Sequence, residues 1–144
     1  MAAVRTLPAS ALDRHVDELC ARHGILRLDG ARGRAEVRRR NGRRTIAIRV
    51  PPVRGQVTYF VALHEIGHLV GPGRSGPRLE KEAAAWRFAL HTALVEPTDA
   101  CRRRIGRRLR SYVTWAELRQ HRRRPPVLPP AESSFWPLLR YLES

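Results

Sequence analysis

His64-Glu65-Ile66-Gly67-His68 is the stretch that most narrows what this chain can fold into. Two histidines four residues apart meet on one face only if the backbone there is an α-helix. Residues 56–70 (QVTYFVALHEIGHLV) carry a helical pattern around them. Phe60, Leu63, Ile66, Gly67 and Val70 share an arc that excludes His64, Glu65 and His68. The expected helix buries one side and presents the two imidazoles on another. Imidazoles so placed can reach one metal ion, and Glu65 projects from the edge of the same face. His64 and His68 are therefore candidate metal ligands, and Glu65 is the candidate catalytic residue.

Two histidines do not complete a zinc site of this kind. A third protein ligand is needed, with a fourth position open to water. A Gly- and Pro-rich loop at 71–78 leads to a second helical stretch at 79–95, which carries Glu80 and Glu82. Two residues apart on a helix is roughly 200° of rotation, so only one of them can face the metal. Glu82 shares its side with Trp86, Ala89 and Ala93, beside the packed face. Glu80 shares its side with Ala84, Arg87 and His91, which reads as solvated. Glu82 is the favoured third ligand and Glu80 the alternative.

The preceding residues supply a small sheet. Ile25–Leu28 reads as a strand after a helix over 9–23. Ala35, Val37, Ile46, Ile48 and Val50 then alternate with polar residues around Asn41-Gly42, the pair preferred by a two-residue type I′ turn. That turn sets Val37 opposite Ile46 and Ala35 opposite Ile48. Beyond Pro97, a helix opening at Thr98 or Asp99 is expected to run to about Arg110. Thr114-Trp-Ala-Glu117 has the form of a capping box and predicts a further short helix. Pro125 to Pro130 reads as a stiff linker, and Phe135, Trp136, Leu138 and Leu139 as the apolar stripe of a terminal helix. The order is helix, strands, then helices, which is α+β. The expected architecture is an N-terminal helix, a small antiparallel sheet with its hairpin, the HExxH helix, the ligand helix and C-terminal helices. Residues 1–124 form one domain with a basic extension from about 98, and 125–144 add the linker and last helix.

Composition limits the rest. At 144 residues the chain has room for one domain. No apolar run approaches the roughly 20 residues that span a membrane. The N-terminal stretch lacks the apolar centre of a secretory signal. Cys20 and Cys101 are too few for a disulfide scaffold and read as free thiols. A cytoplasmic protein is the expectation. The net charge is +15, and Lys81 is the only lysine among 28 basic residues. Such charge concentrates polyanions whatever the fold. Arginines crowd 102–110 and 122–124, with Tyr112 and Trp115 between them, so nucleic acid is a candidate partner. The bland alternative is a solvated basic face.

Phe60-Val-Ala-Leu-His-Glu-Ile-Gly-His-Leu69 resembles the metal-binding helix of the ImmA/IrrE family of zinc-dependent metallopeptidases, where an aromatic residue precedes HELGH. Family members follow with E-x-x-A-N/D-x-F-A, whose leading Glu is the third ligand. Glu82-Ala-Ala-Ala85-Trp86-Arg-Phe88-Ala89 fits that register, with Trp86 where Asn or Asp is usual. The helix and small sheet before it also resemble the family's minimal zincin core, and the likeness covers about 9–97. It implies Zn²⁺ held by His64, His68 and Glu82, and peptide hydrolysis with Glu65 as the base. The partner it implies is a protein substrate, with DNA-bound helix-turn-helix repressors among the family's targets. Two helices joined at Ser111–Thr114 would mimic a helix-turn-helix. Tyr59, His91 and Tyr112 are the candidates for stabilising an oxyanion. The competing reading is a DNA-binding regulator that keeps a zinc site without turnover.

Overall fold

Asn41 and Gly42 close the hairpin. In the computed structural model, which describes residues 6–144, they take φ of 50° and 73°, as a type I′ turn requires. Strands β2 (Arg34–Arg40) and β3 (Arg43–Val50) run antiparallel, with Val37 opposite Ile46 and Ala35 opposite Ile48. Helix α1 (Ala9–His23) precedes them and leads through Gly24 into β1 (Ile25–Asp29). Part of the N-terminal stretch read for a secretory signal, residues 1–5, lies outside the described residues.

The sheet is mixed, which corrects the antiparallel expectation. Its order is β1-β3-β2, and β1 pairs with β3 in parallel, Ile25 to Ile46 and Asp29 to Val50. The strand with the most buried residues takes the middle: Ala47, Ile48 and Val50 of β3 are buried, whereas β2 keeps its arginines at an edge. This topology has a local consequence. Residues 30–33 must carry the chain over the end of β3, across two inter-strand spacings of about 4.8 Å each.

Helix α2 (Gln56–Val70) is the centre of the molecule. It packs against α1, β2, β3, α3 (Arg78–Thr92) and α4 (Asp99–Leu118). Every residue from Tyr59 to Gly67 is buried, including His64 and Glu65 at 7% exposure each. The one-sided helix expected from the apolar arc is therefore not what forms. Neighbours cover much of the polar side as well, so His64 and Glu65 are buried and His68 is half-buried. Gly67 allows the closest of these packings. A Cβ there would stand 3.0 Å from the Ala85 carbonyl oxygen and from Phe88, so any larger residue would push α2 and α3 apart.

Helix α4 runs without a break from Asp99 to Leu118. This corrects the expected pair of short helices and removes the turn that would have mimicked a helix-turn-helix. The physical reason is a continuous buried stripe of Cys101, Ile105, Leu109, Val113 and Ala116. Ser111 and Thr114 hydroxyls bond back to the carbonyls of Arg108 and Arg110 instead of capping. Helix α5 (Phe135–Glu143) docks on α4 through Phe135, Leu139 and Leu142, all 1% exposed or less. Two arginines of the 102–110 cluster hold it there. Arg110 makes a two-pronged contact with Glu143, and Arg102 donates to the Tyr141 carbonyl. No described helix is long and apolar enough to cross a membrane.

Candidate metal centre

The packing of α3 on α2 decides which carboxylate meets the histidines. Glu82 is buried, and its Oε2 lies 2.9 Å from His64 Nε2 and 3.1 Å from His68 Nε2. Glu80 turns away and accepts a hydrogen bond of 2.8 Å from Ser133 Oγ. One donor atom from each of His64, Glu65 and His68 lies within 4.8 Å of the others, so this group can hold a metal ion. The Glu82 contacts also fit one. Ligand atoms about 2.0–2.1 Å from a tetrahedral zinc stand about 3.3 Å apart, a few tenths of an ångström beyond these distances.

The second nitrogen of His64 is fixed as well. Its Nδ1 lies 3.1 Å from Glu65 Oε1, which orients the ring and leaves Nε2 toward Glu82. The ring also stacks on Trp86, with centroids 4.0 Å apart and planes 20° from parallel. Trp86 is 1% exposed, and its Nε1 hydrogen has no acceptor. The indole thus positions His64 by surface contact. Truncating it with Trp86→Ala should cost about 3–5 kcal/mol of stability in denaturant titration, the usual toll for a large buried aromatic. Trp86→Phe should cost clearly less, because it restores ring contact and removes the orphaned donor. Equal losses would contradict the stacking role.

Charge governs the metal-free state. Burial alone would lower the His64 pKa, but hydrogen bonds and attraction from Glu65 and Glu82 raise it above the ordinary 6.5. Burial alone would raise Glu82, yet bonds from His64 and His68 hold it far below the usual carboxylate range. A proton on His64 Nε2 then serves Glu82 where a metal ion would. The raised His64 contributes stability that is complete below pH 6.5 and lost as pH climbs through its folded value. The lowered Glu82 contributes above its ordinary 4.5 and fades only as acid titrates it. Metal binding has the opposite slope, because both Nε2 atoms must be bare. Between pH 6 and 8 the melting temperature of metal-free protein should therefore fall while the increment from added zinc grows. Thermal melts with and without zinc test this, and parallel curves would refute it.

A cleft of about 400 Å³ opens over these groups, lined also by Gly33, Arg34, Val37 and Tyr112. Gly33 is a site residue that sequence reasoning missed. The crossing loop presses it onto α2, and a Cβ there would stand 2.6 Å from Val61 and 3.2 Å from Glu65 Oε1. Only the spacing of Gly30 and Gly33 before an edge strand hints at it. The three oxyanion candidates separate. The Tyr59 hydroxyl is fully buried, bonded to His15 Nδ1 at 2.6 Å and accepting from the Leu94 amide at 3.0 Å. His91 is exposed and lines a different hollow with Phe88 and Pro72. Tyr112 alone faces the cleft, its pKa pushed up by burial and by the charge of Glu82. Both cysteines are buried free thiols, raised to about 11 by burial, as inert packing residues would be.

The chain matches no model of a known protein family, no curated protein and no solved structure.

Proposed function

We propose that this chain is a zinc-dependent metallopeptidase of the HExxH type, cleaving a protein substrate. The observation that carries the reading is the convergence of Glu82, from the neighbouring helix, on the Nε2 atoms of both His64 and His68. The resemblance of 60–69 and 82–89 to the ImmA/IrrE motifs supports it. In this reading His64, His68 and Glu82 hold the ion. Zinc so held supplies a Lewis acid and brings the pKa of a water to about 7.

The chain's own groups do the rest. Glu65 takes the proton at a carboxylate oxygen and returns it to the leaving amine. Gly33 and Val61 wall its carboxylate from one side. Tyr112, which lines the same cleft, donates its hydroxyl in this reading to the oxygen on which negative charge develops. Strand β2 borders the cleft and has an open edge, whose amides and carbonyls can pair with an extended peptide. A helix-turn-helix regulator is the first substrate to try.

The test joins metal content to cleavage. Purified protein should carry one zinc per chain by elemental analysis. It should cut its substrate in a manner stopped by a chelator and restored by zinc. Protein with no affinity for zinc would overturn the reading. Stoichiometric zinc with DNA binding and no cleavage of any regulator would favour the alternative, a DNA-binding regulatory protein that retains the site.

A further inference from the structure

A second hollow adjoins the metal cleft. Its volume is about 460 Å³, and Arg78, Arg119, Arg122 and Arg124 line it together with Trp115. Two of the arginines are held by aromatic rings. The Arg78 guanidinium lies 5.2 Å from the Trp115 ring centre and 5.5 Å from that of Tyr112. Arg119 lies 5.2 Å from the Trp115 ring and donates to the Trp115 carbonyl. Such contacts fix a guanidinium while leaving part of its donor fork free. No acidic residue lines the hollow. Among the described residues none of the four arginines has a carboxylate within 4.0 Å, although others of the chain do. Four positive groups thus converge on one concavity without a counter-charge.

We infer that this groove binds an acidic segment of the protein substrate, beside the bond presented to the metal centre. The inference rests on the metallopeptidase reading and names a substrate class for it. Three observations choose a peptide. Tyr112 lines the cleft, Arg78 lines the groove, and the Arg78 guanidinium lies against the Tyr112 ring, so a chain lying in the cleft continues into the groove. Pro77, Pro126 and Val127 give the groove aliphatic surface that suits side chains. The Trp115 ring is engaged by two guanidiniums, which competes with stacking of a nucleic-acid base.

The experiment measures binding without turnover. Zinc-loaded Glu65→Gln protein is titrated into a fluorescein-labelled peptide of alternating Glu and Leu, and into its Gln-Leu counterpart. The acidic peptide should bind, and the neutral one should bind at least tenfold more weakly. Arg119→Glu and Arg122→Glu should each weaken the acidic peptide by about tenfold or more. Arg107→Glu, an equal change of charge outside the groove, should change it by about twofold at most. If Arg119→Glu disturbs the fold, Arg119→Gln replaces it and should act in the same direction. Equal losses at all three positions would overturn the inference as mere net charge. Tighter binding of single-stranded DNA, lost on Arg122→Glu and kept on Arg107→Glu, would overturn it in favour of nucleic acid. Selective peptide binding by a protein whose wild type cleaves nothing would keep the groove and reject the metallopeptidase reading.

Discussion

Exchange of Glu65 for Gln is expected to leave zinc bound and to slow cleavage by about 10²–10⁴-fold, the usual worth of a positioned general base. The substitution is chosen for shape. Glu65 is buried under Gly33, and its Oε1 meets His64 Nδ1. Gln fills the same space, and its carbonyl oxygen can accept the same hydrogen bond. What it removes is the charge and the capacity to take a proton. Zinc content and cleavage rate, measured on the same sample, separate the possible roles of this carboxylate. Glu65 stands in the same donor group as the two histidines. Loss of zinc on Glu65→Gln would therefore make it a ligand, and undiminished cleavage would remove it from proton transfer.

Glu82→Gln should have the larger effect on the metal. Loss of a group that only orients a ligand costs about 10–100-fold in affinity. Loss of a ligand that also neutralises the ion should exceed that range. Competition with a chelating dye reads the difference. Glu80→Gln is the matched control, made two residues away with the same chemistry. It gives up only the acceptor for Ser133 Oγ and should leave zinc affinity within about twofold. The reverse pattern would move the ligand to Glu80. These two exchanges also differ in the metal-free protein. Glu82→Gln removes one of the two carboxylates that hold a proton on His64, so the pH slope of its stability should flatten.

Much of this arrangement is legible in the residues, and the rest is not for physical reasons. A helix over 56–70 follows from its periodicity, and the hairpin register from Asn41-Gly42, because both signals are local. Glu82 on the packed side of α3 follows from its neighbours Trp86 and Ala89, since helix faces are fixed by the backbone. Once the hairpin forms, β1 can join the free edge of β3, in parallel, or the free edge of β2, and nothing local decides between them. Thr114-Trp-Ala-Glu117 carries a cap signal that the stripe through Leu109, Val113 and Ala116 overrides. All-round burial of α2 depends on where five other elements come to rest. Gly33 and the groove at Trp115 join residues distant in sequence, the one from Glu65 and the other from Pro77 and Arg78.

The burial of α2 bears on how the molecule breathes. Its backbone amides from Tyr59 to Gly67 reach water only when several elements separate together. Hydrogen exchange there should report global unfolding, whereas the exposed tip of the hairpin exchanges by local opening. His64 and Glu65 lie within that segment and His68 directly after it, so they should sit on one of the most slowly exchanging stretches of the chain. On the metallopeptidase reading, the imidazoles stay held by the interior when the ion is removed, and rebinding should proceed without refolding.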